Sequence, residues 1–137
     1  MSLLLVFWSL LLSKMLEVGL KYQSRVVVSE DNTALKLGSG DMAVFATPAM
    51  IALMENAAMN AVAEHLDAGA TTVGTMMKSS HIKASAVGAT ITAEAELVAV
   101  EDRRLSFVVK AWDEKGTIGE GEHERFIVDR ERFLSKL

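Results

Sequence analysis

The chain of 137 residues has no cysteine, a single proline and little aromatic content, and its basic residues are outnumbered. The absence of cysteine excludes a disulfide framework, a cysteine nucleophile and cysteine-ligated zinc, and it fits the reducing cytoplasm in which we expect the protein to lie. With 14 Lys and Arg against 18 Asp and Glu, the net charge is -4. Nucleic-acid binding usually needs a basic face, so no nucleic-acid partner is expected.

A hydrophobic run of membrane-spanning length is also missing. Residues 3–12 are nearly all apolar, but about 20 such residues are needed to cross a bilayer. No Lys or Arg precedes Lys14 and no A-x-A site follows, so a signal peptide is not indicated. We expect residues 1–14 to be an apolar extension ahead of a natural start at Met15. An extra packing helix or a membrane-surface anchor is the alternative. Residues 15–137 are the predicted domain.

What the sequence does contain is a helical stretch, residues 45–65, that is apolar almost all the way round. A surface helix usually has one apolar stripe and one polar face. Thr47 is a suitable N-cap, with Pro48 at the first helical position. Gly69 offers a left-handed stop near the other end. Such a helix needs cover on most of its sides.

The remaining patterns predict strands. Alternation of apolar and polar residues over 89–100 and 103–112 is typical of half-buried antiparallel strands. Further strands are predicted over 20–30, over 72–85 with His81 near the middle, and over 118–129, where two glycines allow a bend or bulge; residues 33–38 are a possible short extra strand.

Strand, long helix and four strands together predict an α+β fold in which one curved antiparallel sheet wraps around an apolar central helix. This arrangement describes the hot-dog fold. A single sheet has edges that need protection, and pairing two copies edge to edge provides it. A homodimer or a dimer of dimers is therefore expected.

Four residues invite a chemical interpretation beside a structural one. Glu55, a carboxylate on the apolar helix, either reaches solvent or is paired or protonated inside. His81 is a structural or a catalytic strand histidine. Thr47 caps the helix or faces a substrate, and Gly74 is an ordinary strand glycine or lets a ligand approach the backbone. The three histidines lack the close spacing of a metal motif, so no metal is expected.

Four segments carry a resemblance to a known family: "VFATPAMIALMENAA", "VGTMMKSSHIKAS", "VEDRRLSFVVKAWD" and "IGEGEHERFIV". The chain after Met15 resembles the fluoroacetyl-CoA thioesterase-like branch of the hot-dog superfamily. The resemblance implies a catalytic group of Thr47, Glu55 and His81. It also implies that the Gly74 backbone meets the thioester carbonyl and that Arg125 lies near the substrate.

The segment before the helix departs from that family. In the fluoroacetyl-specific enzyme it is rich in aromatic residues and closes over the substrate. Here "KLGSGDMAVF" offers only Phe45, which we take as a substrate contact. We therefore expect an acyl-CoA thioesterase for short-to-medium acyl groups, with no cofactor beyond the coenzyme A of the substrate.

Two alternatives remain open. A hot-dog enoyl-CoA hydratase would use a His and Asp pair, but the helix carries no such motif and Asp41 lies ahead of it. A non-catalytic acyl-CoA-binding or dimerisation module would explain the apolar helix equally well. It would leave Thr47, Glu55 and His81 without a joint purpose.

Overall fold

The computed structural model describes residues 15–137; the predictions for residues 1–14 lie outside this range. Helices and strands follow in the order β1 (Lys21–Val27), α1 (Ala34–Leu37), α2 (Thr47–Ala63), β2 (Ala70–His81), β3 (Thr90–Glu101), β4 (Arg104–Asp113), β5 (Gly116–Asp129) and α3 (Arg130–Ser135), with a short 3-10 turn at Glu30–Asn32. The long helix α2 is the central helix. No helix within residues 15–137 is long and apolar enough to cross a membrane.

The five strands form one antiparallel sheet in the order β1-β3-β4-β5-β2. One face of this sheet packs on the central helix. The predicted α+β arrangement of one antiparallel sheet and one long helix is confirmed. Strands β1 and β2 are the two edges, so within residues 15–137 each leaves one side of its backbone unpaired.

The core lies between the central helix and the inward residues of the sheet. Strands β3 and β4 contribute the predicted alternating faces, as far as a bulge that interrupts the register between Leu97 and Ala99. The fully buried helix positions are Met50, Met54, Ala57, Ala58 and Val62. Alanines on the helix let the sheet approach closely, and the methionines fill the space between them.

Two short helices depart from the sequence prediction. Within residues 33–38, Ala34–Leu37 form helix α1 instead of a strand, because the Thr33 hydroxyl accepts a hydrogen bond from the Lys36 amide and Gly38 ends the helix at φ 77°. Helix α3 was not predicted. It starts where the Asp129 carboxylate accepts a hydrogen bond from the Arg132 amide.

The predicted bounds of the central helix were also wrong. Its N-cap is Ala46, and Thr47 is already the first helical residue. The Thr47 hydroxyl does not cap the helix because it is bonded to His81. The helix ends at Ala63, whereas Gly69, at φ 83°, shapes the later turn into β2.

Strand β2 is shorter than predicted, so that His81 is its last residue and not its middle. Pairing with β5 stops at the His81–Gly119 pair. Gly119 permits close packing: a Cβ there would lie 2.6 Å from both the Met50 sulfur and the Ser80 carbonyl oxygen. The sequence predicted a bend or bulge near this glycine. The structure has one at the neighbouring position of β5, where the pairing with β4 shifts between Ala111 and Trp112.

Candidate active site

The end of β2 and the start of the central helix bring Thr47 and His81 together. Thr47 Oγ1 lies 2.8 Å from His81 Nδ1. The Phe45 ring meets the imidazole edge-on, with 6.5 Å between ring centroids. These groups line a pocket of about 270 Å³ together with Ala34 and Ile82. We call Thr47 and His81 the threonine–histidine pair.

His81 is held by one side-chain bond and is otherwise poorly satisfied. Its Nε2 atom is buried and has no hydrogen-bond partner among the described residues. Burial lowers the pKa of His81 below its ordinary value, against a smaller opposing effect of the backbone at Lys83. The imidazole is therefore neutral near pH 7, which is the form that accepts a proton.

A second group of side chains lies around the middle of the central helix. Glu55 shares a pocket of about 280 Å³ with Gly74, Thr75, Met76, Met77 and His123. Its Oε2 atom is 3.8 Å from Arg125 Nη1, and its side chain is 42% exposed. The carboxylate thus reaches a buried cation on one side and open space on the other. We call Glu55, Gly74, His123 and Arg125 the Glu55 cluster.

Gly74 is the point at which the cluster converges. A Cβ at this position would lie 3.2 Å from Glu55 Oε2, 3.3 Å from His123 Cε1 and 3.4 Å from Arg125 Nη1. The pairing of β2 with β5 is irregular here, with a shift between Gly74 and Met76. A glycine at a bulge leaves backbone accessible to a ligand beside the carboxylate.

Arg125 is 6% exposed and its guanidinium is bonded on several sides. Nε donates to Thr72 Oγ1 at 2.8 Å and Nη2 donates to the Thr72 carbonyl at 3.0 Å. Nη1 lies 3.2 Å from His123 Nε2. Burial lowers the pKa of Arg125, and the Glu55 charge opposes that shift. The guanidinium remains charged, as arginine does in proteins.

Within one chain the two groups are separate. Glu55 follows Thr47 by eight positions on the same helix, which at 1.5 Å per residue is about 12 Å. The structure therefore unites Thr47, His81 and Phe45 in one place, and Glu55, Gly74 and Arg125 in another. That all of them act on one substrate stays a prediction.

Sequence reasoning missed His123, a member of the Glu55 cluster, and Thr72, which binds the Arg125 guanidinium. His123 stands two residues before Arg125 on β5, so both point to the same face of the sheet. This spacing was the sequence signal that could have indicated His123 as a neighbour of Arg125. Within residues 15–137 no group of three or more His, Asp and Glu side chains could hold a metal ion.

Comparison with known proteins shows which class this fold and site define. The structure matches a thioesterase-superfamily protein of Thermus thermophilus with a TM-score of 0.81 over 88% of this chain and 89% of that one. At 24% identity this likeness shows the fold. A hot-dog-like protein of Thermanaerovibrio acidaminovorans also matches, with a TM-score of 0.79 at 22% identity, and the predicted hot-dog fold is confirmed.

The family is narrower than the fold. The family described as fluoroacetyl-CoA-specific thioesterase matches residues 28–131. A fluoroacetyl-CoA thioesterase of Streptantibioticus cattleyicolor is 44% identical over 94 residues, which cover 69% of this chain and 68% of that protein. A solved structure of a fluoroacetyl-CoA thioesterase has a TM-score of 0.83 at 37% identity, over 88% of this chain and 94% of that one.

The chain belongs to this thioesterase family. The resemblance stated from the four sequence segments is confirmed, and with it the prediction of a hot-dog acyl-CoA thioesterase, a thioester hydrolase.

Proposed function

We propose that the protein hydrolyses short-to-medium acyl-CoA thioesters, and that Glu55, His81 and Thr47 form its catalytic group. The observation that carries this proposal is the meeting of the Glu55 carboxylate with the Gly74 backbone in one pocket, 3.2 Å from where a Cβ would stand. Because Gly74 has no side chain, a thioester carbonyl can approach its backbone here. Arg125 lies 3.8 Å from the same carboxylate, and we propose that it contacts the substrate.

Hydrolysis in this site needs an attacking oxygen, a base and stabilisation of the oxyanion. Glu55 takes a proton from water, whose oxygen attacks the thioester carbon. Direct attack by the Glu55 carboxylate and attack by the Thr47 hydroxyl with help from His81 are the alternative routes. Backbone amides stabilise the oxyanion, either at Gly74 or at the start of the central helix, which carries partial positive charge. Thr47 orients water and His81 moves the proton. Collapse of the intermediate expels the coenzyme A thiolate.

The two edges of the sheet support a dimer through β2. Edge strand β1 is charged, and Lys21 pairs with Glu96 at 3.2 Å. Edge strand β2 has one charged residue, Lys78, apart from its terminal histidine. Charged edges resist pairing with other chains, whereas an edge with few charges permits it. The exposed Met59 of the central helix also requires cover.

A second copy on β2 would join the two separate groups. The Glu55 cluster borders β2 through Gly74, and the threonine–histidine pair lies at the end of the same strand. We infer that Glu55 of one chain acts with Thr47 and His81 of the other. This arrangement needs no movement of the central helix.

Mixing two inactive variants tests this assembly directly. In hybrids of Thr47→Val and Glu55→Gln chains, a site shared between chains leaves one of two sites intact. Random mixing makes half of the dimers hybrid, so about a quarter of the parent activity should return. If each chain builds its own site, no activity returns. A mass of one chain in light scattering at micromolar concentration would also contradict the proposal.

Substrate breadth follows from the segment before the helix. Phe45 is 2% exposed and packs inward on His81, so it is not available as a movable lid. The stretch from Gly38 to Val44 has no aromatic residue. A pocket rejects larger groups mainly by clash, and a missing methylene's worth of packing changes specificity by only about 1–3 kcal/mol. Longer acyl chains should therefore enter.

The test compares fluoroacetyl-, acetyl-, butyryl- and hexanoyl-CoA by release of free thiol. We expect fluoroacetyl-CoA to be preferred over acetyl-CoA by no more than about tenfold in kcat/KM, or about 1.4 kcal/mol. A steep fluoroacetyl preference with inert longer chains would contradict the proposed breadth. Loss of an enoyl group without thiol release would indicate a hydratase, and binding without either reaction would indicate an acyl-CoA-binding module.

We further propose that the reaction uses no cofactor apart from the coenzyme A of the substrate and that it occurs in the cytoplasm. General acid and base groups with backbone donors suffice for a thioester, because the thiolate is a good leaving group. The absence of cysteine suits a reducing compartment. Unchanged turnover after treatment with a metal chelator and dialysis would support the first point.

A further inference from the structure

His123 is 1% exposed and has no place in the catalytic group proposed above. Its ring nitrogens have partners of opposite kinds. Nδ1 lies 2.7 Å from the Met76 carbonyl oxygen, which only accepts hydrogen bonds. Nε2 lies 3.2 Å from Arg125 Nη1, which only donates them. The ring must therefore carry its proton on Nδ1 and present a bare lone pair at Nε2.

The lone pair at Nε2 faces the nitrogen of Arg125 that points to Glu55. Nη1 is the atom 3.8 Å from Glu55 Oε2, while the other two guanidinium nitrogens are bonded to Thr72. Thr72 alone leaves Nη1 without a neutral acceptor. With His123 Nε2 as an acceptor, each of the three guanidinium nitrogens has a hydrogen-bond partner. Arg125 is then held in one orientation toward the Glu55 carboxylate.

The proton at Nδ1 holds the other side of the cluster. Met76 directly follows the irregularity in β2 that begins at Gly74. The Nδ1–H bond ties the Met76 carbonyl inward, to a residue of the neighbouring strand. One imidazole thus connects the bulge that exposes Gly74 with the guanidinium beside Glu55.

We propose that His123 is a positioning residue of the thioesterase site, which as a neutral Nδ1–H imidazole fixes Arg125 against Glu55 and anchors the β2 bulge at Gly74. The proposal rests on the proposed role of Glu55 in hydrolysis. A protonated ring would lose its acceptor for Arg125 and place two cations side by side. The site therefore requires the neutral ring.

The surroundings of His123 favour that neutral ring. Burial lowers its pKa most, and the Arg125 charge acts in the same direction, against the Met76 carbonyl and the carboxylates of Glu55 and Glu124. Strand β4 contributes the uncharged Phe107 ring, 6.1 Å away between centroids. Of the charged groups, Arg125 and Glu124 come from β5 and Glu55 from the central helix.

Nuclear magnetic resonance of the imidazole nitrogens tests the tautomer without using activity. In the parent protein we expect His123 to show a protonated Nδ1 and an unprotonated Nε2 at pH 7. It should keep this pattern at pH 6, where a free imidazole is mostly charged given its pKa of about 6.5. An Nε2–H tautomer or a charged ring at pH 7 would overturn the proposal.

Two substitutions separate the two contacts. His123→Gln places a side-chain oxygen near the position of Nε2 and keeps an acceptor for Arg125. His123→Asn places an amide N–H near Nδ1 and keeps the bond to Met76, but loses that acceptor. If His123 acts through Arg125, the Asn variant should lose about tenfold in kcat with KM within about threefold, and the Gln variant should stay within about threefold of the parent.

The Arg125 Nε–H resonance provides a readout independent of turnover. It should move in the Asn variant and stay in place in the Gln variant, with His65→Gln as a control outside the cluster. Equal kcat values and an unmoved resonance in both variants would overturn the proposal. If no thioester were hydrolysed by the parent, the proposed function would fail, while the tautomer and the Arg125 resonance would still decide how His123 holds the cluster.

Discussion

The threonine–histidine pair and the Glu55 cluster are built on the same helix, yet they are held in different ways. Among the described residues, His81 has one side-chain bond, to Thr47, and a buried nitrogen without a hydrogen-bond partner. In the Glu55 cluster, His123 and Arg125 are fixed by bonds to Met76, Thr72 and each other. The contact of His81 with a hydroxyl fits either tautomer of the ring, whereas the contacts of His123 fit only one.

The two histidines also differ in exposure: His81 is partly exposed, whereas His123 is 1% exposed. Burial lowers the pKa of both rings, so that property alone does not separate them. The partners do: His81 faces a hydroxyl, which both donates and accepts, whereas His123 lies between a carbonyl and a guanidinium. Only the first surrounding tolerates a ring that changes its proton during turnover.

The largest effect should come from neutralising the Glu55 carboxylate. Glu55→Gln should keep the fold and lose about 10²-fold or more of kcat, as is typical of a positioned acid or base. Arg125 would also lose its anionic partner, so thermal unfolding must be measured alongside. Glu64→Gln, an exposed carboxylate just beyond the same helix, is the matched control. Turnover of the Glu55 variant within a few-fold of the parent would remove Glu55 from the catalytic group.

A smaller loss of turnover is expected when the His81 imidazole is removed. The parent kcat/KM should fall as the pH drops through the lowered pKa of His81, below about 6.5, because the protonated ring cannot accept a proton. His81→Ala should lower turnover by about 10–10²-fold and flatten this limb of the profile. His65→Ala, a histidine bonded to the Met15 carbonyl, should leave the profile unchanged. Full activity of His81→Ala would make His81 structural.

An intermediate change perturbs the cluster without removing a functional group. Gly74→Ala puts a Cβ 3.2 Å from Glu55 Oε2 and 3.3 Å from His123 Cε1. The neighbours must shift by a few tenths of an ångström, so we expect about a tenfold loss of kcat from misplacement, with the fold retained. Thr71→Ala on the same strand, outside both pockets, is the control. Unchanged kcat would mean that this space is not used.

The fold was largely readable because its patterns are local. Alternation along β3 and β4 and the apolar central helix predicted the sheet and its partner. The bounds failed where a tertiary bond replaced a local one. Thr47 has the chemistry of an N-cap, but its hydroxyl bonds to His81, 34 residues away in sequence. Helix α1 was missed because its cap and its terminating glycine span only a few residues.

The site was harder to predict from the sequence because its contacts join residues that lie far apart in the chain. Thr47, Glu55 and His81 were singled out individually, and their grouping came from the family resemblance. No pattern in the sequence indicates that one chain holds Glu55 about 12 Å along the helix from Thr47. Nor does it show that His123 and Thr72 complete the surroundings of Arg125. Those contacts depend on the register of β2 against β5.

The smallest expected effect is on the pH dependence of stability. Here His123 should matter more than His81, which is the reverse of their expected order in catalysis. Because the folded pKa of each ring is lowered, the unfolded chain binds more protons between that value and about 6.5, so the free energy of unfolding decreases as pH falls through this window. His123 is 1% exposed and its neutral form is required by both neighbours, so His123→Gln should remove more of this pH dependence than His81→Gln. Urea unfolding at pH 7.5 and 5.5, at one protein concentration, measures the difference. If His81→Gln removed more of the pH dependence of the free energy of unfolding, His123 would not be the ring that is held neutral. The same histidine would then govern the pH dependence of both activity and folding.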